Sequence, residues 1–144
     1  MTSRRTFLKQ SGAYAAAASI APSVYATGAA AASEIEVGVL FSLTGGLSII
    51  EQSLADATMM AIDEINKAGG VNGMMIKPIL EDGASDPKTY NEKASKLVIR
   101  DRVPTVFGSY TSASRKAVLP VFEKRKNLYF YPTYYEGYEC SKNV

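Results

Sequence analysis

The chain has 144 residues, of which 47% are hydrophobic and 21% charged, with one Cys and neither His nor Trp. That profile fits one ordinary globular domain, and it removes whole chemistries: no Ser-His-Asp or Cys-His arrangement, imidazole metal site, Cys₄ site or internal disulfide can be built. A formal net charge of +2 gives no basis for phosphate neutralisation, so nucleic acid is not expected as a partner.

Residues 1–32 read as an address. Ser3-Arg4-Arg5-Thr6-Phe7-Leu8-Lys9 is a twin-arginine stretch, an Ala-rich apolar run follows from Ala13 to Ala21, and Val24-Tyr25-Ala26 is a small-x-small pattern that a signal peptidase accepts. Cleavage is expected after Ala26 or after Ala32. The apolar run is too short to cross roughly 30 Å of hydrocarbon comfortably, so it reads as an export signal handed to the twin-arginine translocase through Arg4 and Arg5. Its removal leaves 13 basic and 14 acidic residues. In an oxidising compartment the lone Cys140 is expected to be a buried small hydrophobe.

From residue 33 onward the hydrophobic period alternates. Glu34 to Phe41 is β-branched and apolar with an alternating start, as in a strand that becomes buried on both faces. Ser42 to Gly46 is a turn-rich loop. From Ser53, residues Leu54, Thr58, Ala61, Ile65 and Ala68 draw one helix face, which Gly69-Gly70 ends. Met75 to Glu81 predicts a second strand, and the loop after it closes with Asp86 as cap and Pro87 in the first helical turn. Lys88 to Arg100 is then helical, with Tyr90, Ala94, Leu97 and Val98 on one side. Val103 to Gly108 is the third strand, with Pro104 admissible only near its start. A third helix runs from about Thr111 to Lys126 and is expected to bend or begin late because of Pro120. Leu128 to Tyr131 is a fourth short strand.

Strands alternating with helices over short connections give an α/β fold, a Rossmann-like parallel sheet flanked by helices on both faces. Ligands bind such sheets beyond the carboxyl ends of the strands, here Ser42 to Gly46, Asp82 to Asp86, Ser109 to Ser112 and Pro132 to Glu136. No phosphate-loop or dinucleotide fingerprint is present, no cofactor or metal is implied, and no catalytic residues are assigned. The pairs Asp63-Glu64 and Glu81-Asp82 read as solvated carboxylates, and Lys124-Arg125-Lys126 as a complement to a helix dipole. The tyrosines are less ordinary. Six of the nine, Tyr110, Tyr129, Tyr131, Tyr134, Tyr135 and Tyr138, fall in the last third of the chain, interleaved with Thr111, Ser112 and Thr133. Flat aromatic walls with neutral hydroxyls suit a small planar polar solute, but tyrosines in strands also pack cores with the hydroxyl at the wet edge. Ser112 is likewise open between ligand contact and helix cap, with Thr111 as the competing cap.

Phe41 to Gly45, Ala61 to Gly73 and Glu81 to Pro87 resemble the opening of a periplasmic binding protein of the branched-chain amino-acid class. Gly108-Ser109-Tyr110-Thr111-Ser112-Ala113-Ser114-Arg115-Lys116-Ala117-Val118-Leu119-Pro120-Val121 and Phe130-Tyr131-Pro132-Thr133-Tyr134-Tyr135-Glu136-Gly137 resemble the urea and short-chain-amide branch of that class. The resemblance implies a two-lobed, hinged type I receptor of an ABC transporter that captures urea or a short aliphatic amide in the periplasm and delivers it to a membrane permease. The resemblance implies a receptor and not an enzyme. Ligand contacts implied by it are Tyr110, Ser112, Tyr131 and Thr133, with Glu51 as a further carboxylate able to accept from an amide N–H. Tyr110 and Thr133 lean toward the pattern of the amide sensors. An amide-sensing receptor and a branched-chain amino-acid receptor are the alternatives within the same class. Family members are longer, so residues 33–144 are expected to be the N-terminal part of the first lobe, cut before the second.

Overall fold

A computed structural model describes residues 33–133, 136 and 140–144. The segment carrying Arg4 and Arg5, together with Tyr134, Tyr135 and Tyr138, lies outside the described residues. The elements are β1 (Glu34–Phe41), α1 (Ser48–Lys67), β2 (Met75–Asp82), α2 (Pro87–Ser95), β3 (Thr105–Gly108), α3 (Ser112–Arg125) and β4 (Leu128–Phe130). The strands form one parallel sheet in the order β2-β1-β3-β4. The chain winds outward from β1 to β2 on one side and to β3 and β4 on the other. This reversal parts the loops after β1 and β3 and opens a crevice at the carboxyl ends of the strands.

The pleat sorts side chains to two cores. Val37, Val39 and Phe41 point to the face covered by α1, where Ala55 and Ile62 meet them. Leu40 and Val106 point to the opposite face and pack with Tyr90, Ala94, Leu97, Val118, Phe122 and Tyr129. Each such fully buried apolar side chain contributes about 1.5–3 kcal/mol by removal from water. The face expected of the second helix is confirmed, since Tyr90, Ala94, Leu97 and Val98 are all buried. Asp86 caps that helix by accepting from the Thr89 amide at 2.8 Å, and the turn Lys96–Arg100 continues it as a π-helix.

Several expectations are corrected. The first helix begins at Ser48, not Ser53, because the Ser48 hydroxyl and amide both donate to the Gly45 carbonyl and start the turn early. Its buried stripe is Glu51, Ala55 and Ile62; Ala61 and Ile65 instead line an apolar cavity of about 580 Å³ between α1 and β3, beside Phe107. The third strand starts at Thr105, because Pro104 has no N–H to give the ladder. Helix α3 starts at Ser112, not late, and continues through Pro120 to Arg125. The proline is exposed, so the missing donor falls away from the buried stripe of Ser114, Arg115, Val118 and Phe122. Cys140 is exposed, not buried, in the segment beyond β4. Glu81 is not solvated either: it is 6% exposed and paired with Lys93 at 2.8 Å and with Lys96.

Candidate ligand-binding site

At the end of β3 a Cβ on Gly108 would meet the Leu40 carbonyl oxygen at 2.0 Å, so only glycine lets the strand finish this close to β1. Ser109 follows in the left-handed region, with φ of 55°, and donates its amide to the Leu40 carbonyl at 2.9 Å. The turn carries Tyr110 off the sheet and onto the loop face. Buried Tyr129 fixes this corner from below by donating to the Gly108 carbonyl at 2.9 Å and sharing a 2.6 Å bond with the Ser109 hydroxyl. Burial raises its phenol above the ordinary tyrosine range, which keeps it a neutral donor.

Four of the five ligand contacts implied by resemblance come together here. The Tyr131 hydroxyl donates to the Tyr110 carbonyl at 2.5 Å, and the Thr133 hydroxyl donates to the same oxygen at 3.3 Å. Ser112 is the first residue of α3, and its hydroxyl donates to a Glu136 carboxylate oxygen. All four residues are half-buried. Thr111, not Ser112, caps α3: its side chain accepts from the Ser114 amide at 3.2 Å. The Ser112 hydroxyl is therefore left for other work.

Glu51 is placed differently. It is fully buried under the β1 loop, where one carboxylate oxygen accepts from the Ser42 amide at 2.7 Å and from the Tyr90 hydroxyl. Burial, then the Glu51 carboxylate, push the Tyr90 phenol above the ordinary range. Beside it Asp82 stitches the β1 and β2 loops together, accepting from the Leu43 and Ala84 amides at 2.8 Å each and from the Thr44 hydroxyl at 2.7 Å. Burial raises the Asp82 carboxyl, but the hydrogen bonds from Thr44, Ala84 and Leu43 together outweigh it and hold the group below the usual carboxylate range.

Sequence reasoning missed Arg115. The residue is 4% exposed, and its guanidinium donates to the Ser112 hydroxyl oxygen at 3.3 Å and lies 5.0 Å from the centroid of the Tyr131 ring, within cation–π reach. The signal was available, because 115, 118 and 122 share the helix face that the sheet buries. Arg115 and Tyr131 also border a cavity of about 570 Å³ closed by Cys140, Ser141 and Val144. Among the described residues no cluster of three or more Cys, Asp or Glu could hold a metal ion, and no helix is long and apolar enough to cross a membrane.

The periplasmic binding protein domain family matches residues 35–144. A leucine-, isoleucine-, valine-, threonine- and alanine-binding protein of Pseudomonas aeruginosa is 32% identical over 116 residues, covering 81% of this chain and 31% of that protein. Among solved structures, the branched-chain amino acid transporter substrate binding protein of Streptococcus pneumoniae in complex with isoleucine superposes with a TM-score of 0.69 at 27% identity, over 72% of this chain and 30% of that one. A solute binding protein of an ABC transporter from Rhodopseudomonas palustris, in complex with 3,4-dihydroxy benzoic acid, gives 0.59 at 26% identity, over 67% of this chain and 26% of that one. The chain thus spans about a third or less of the length of these relatives.

Proposed function

We propose, because the chain belongs to the periplasmic binding protein family, that it supplies first-lobe structure to the solute-binding component of an ABC transporter, and that the solute is urea or a short aliphatic amide. The observation carrying the ligand class is the direction of the hydrogen bonds. Tyr131 and Thr133 both spend their hydrogens on the Tyr110 carbonyl, so their oxygens offer lone pairs, which suit ligand N–H groups. Ser112 directs its hydrogen outward, to a Glu136 carboxylate oxygen, and a ligand carbonyl oxygen that replaces that carboxylate would take the same hydrogen. Two acceptors and one donor on a half-buried aromatic corner are complementary to a neutral amide.

Capture would take place in the periplasm, after twin-arginine export directed by Arg4 and Arg5 and cleavage after Ala26 or Ala32, with a membrane permease receiving the solute. Replacing both arginines by lysine should hold the precursor in the cytoplasm, as cell fractionation reads. A second reading, a branched-chain amino-acid receptor, is favoured by what the Pseudomonas relative is said to bind. An amino acid brings two charges that need compensation. Titration calorimetry on the polypeptide encoded by the complete reading frame separates the two: heat from acetamide, formamide or urea supports the amide reading, and heat from leucine alone overturns it.

A further inference from the structure

Resting on the reading of this corner as a solute site, we infer that Arg115 is a specificity-determining positioning residue, which fixes Ser112 as a hydrogen-bond donor toward the ligand. A serine hydroxyl can donate or accept and turns to suit its partner. A guanidinium can only donate. With Arg115 Nη2 donating to Ser112 Oγ at 3.3 Å, a lone pair of that oxygen is occupied, and the hydroxyl hydrogen is directed to an acceptor on its other side. The structure shows that direction in use, since the Ser112 hydroxyl donates to a Glu136 carboxylate oxygen.

Arg115 is able to hold this role because it cannot swing away. It is almost wholly buried on the inner stripe of α3, one turn from Ser112, with its guanidinium against the Tyr131 ring. The same side chain therefore braces both halves of the proposed contact: the serine that gives a hydrogen and the tyrosine whose hydrogen is spent on Tyr110. An outward hydrogen on Ser112 meets an acceptor and repels a donating nitrogen. A ligand oxygen is accepted there, and an amidinium or ammonium nitrogen is rejected.

Acetamide and acetamidinium test this, because they share a shape and differ in whether one end is an oxygen or a donating nitrogen. Calorimetry on the complete polypeptide should give a large preference for acetamide. In Arg115→Met, which keeps the packing stem, that preference should shrink by roughly tenfold or more, whereas Arg115→Lys, which keeps a donor, should retain most of it. A merely structural role would weaken both ligands alike, and an unchanged ratio overturns the inference. Should Arg115→Met fail to fold, Ser112→Ala leaves Arg115 in place and must narrow the same ratio; no change there also overturns it. If the wild type binds leucine and neither acetamide nor acetamidinium, the amide reading fails. The inference then stands or falls on whether Arg115→Met narrows the preference for leucine over 3-methylbutylamine, which lacks the carboxylate. Binding of none of the four overturns the inference, and overturns the amide reading with it unless urea or formamide still gives heat.

Discussion

The two halves of the loop face use the same residue types for opposite purposes. Beyond β1 and β2, the polar side chains are turned on one another. Asp82 gathers the Leu43, Thr44 and Ala84 amides, the Ser42 hydroxyl meets the Ser85 amide and the Tyr90 hydroxyl, and Ser85 links the Thr44 carbonyl to the Leu47 amide. Beyond β3 and β4, the hydroxyls of Tyr131 and Thr133 share one carbonyl, and Ser112 is held by an arginine. The first half is stitched shut and the second keeps its hydrogen-bonding capacity at the surface. A serine, threonine, tyrosine or carboxylate at a strand's carboxyl end is thus not informative by type; what matters is whether the neighbouring loop already supplies its partners.

The sharpest way to break the contrast is at Tyr90, which is fully buried and bonded to Glu51 and Ser42. Tyr90→Ala should cost roughly 3–5 kcal/mol, as for other large aromatics removed from a core. Tyr90→Phe should cost roughly 1–3 kcal/mol, because it strips a partner from a buried carboxylate. Urea denaturation reads both as lower midpoints, and the solute affinity of the folded fraction should not change. If Tyr90→Phe instead abolished binding at an unchanged midpoint, Glu51 would be a ligand contact, as the family pattern expects, and the two halves would not divide scaffold from site.

Elements whose pattern comes from the core were legible in the sequence. The stripe Tyr90, Ala94, Leu97 and Val98 and the alternation of β1 depend only on periodicity, and both are where the pattern put them. The stripe of α1 was misplaced because its apolar surface is wider than the part the sheet covers: Ala61 and Ile65 look into a groove, a matter of where β3 ends rather than of the helix. The tyrosines divided for a similar reason. Its helix stripe puts Tyr90 inside, but nothing in the local sequence separates Tyr129, also inside, from Tyr110 and Tyr131 at the loops. Asp82 reaches Leu43, 39 positions away, and Arg115 reaches the Tyr131 ring, and only the folded crevice brings those partners together.

A contrast of intermediate size lies between two adjacent residues on α3. The structure gives the capping role to Thr111, so Thr111→Ala should lower stability by about 1 kcal/mol and leave solute affinity nearly constant. Ser112→Ala should do the reverse, weakening amide binding by roughly tenfold or more because a buried ligand group loses its partner, with little change in melting temperature. Paired thermal melts and calorimetry on the two variants read this directly. Loss of stability without loss of affinity in both would make the β3 corner scaffold as well, and the solute would have to be held elsewhere on the loop face.

The smallest effect expected is the acid sensitivity of the stitched half. Asp82 is held below the ordinary carboxylate range by the bonds it accepts from Thr44, Ala84 and Leu43, which outweigh the opposing effect of burial. A carboxyl with a depressed folded pKa contributes its full stability above its unfolded value of about 3.9 and loses it as pH falls through the folded value. The β1–β2 junction should therefore weaken only below about pH 4, and the Gly108–Ser109 turn, held by the Tyr129 hydroxyl and the Leu40 carbonyl, should not follow it through the same window. Asp82→Asn keeps one acceptor oxygen for the loop amides but cannot titrate, so its denaturation midpoint should start lower, by about 1 kcal/mol or less, and stay flatter between pH 5 and 3 than that of the wild type. Hydrogen exchange locates the change: the Leu43, Thr44 and Ala84 amides should lose protection in acid in the wild type before the Ser109 amide does. If protection at Ser109 fell first, the corner proposed to hold the solute would be the less stable half, and Asp82 would not be what joins the loops.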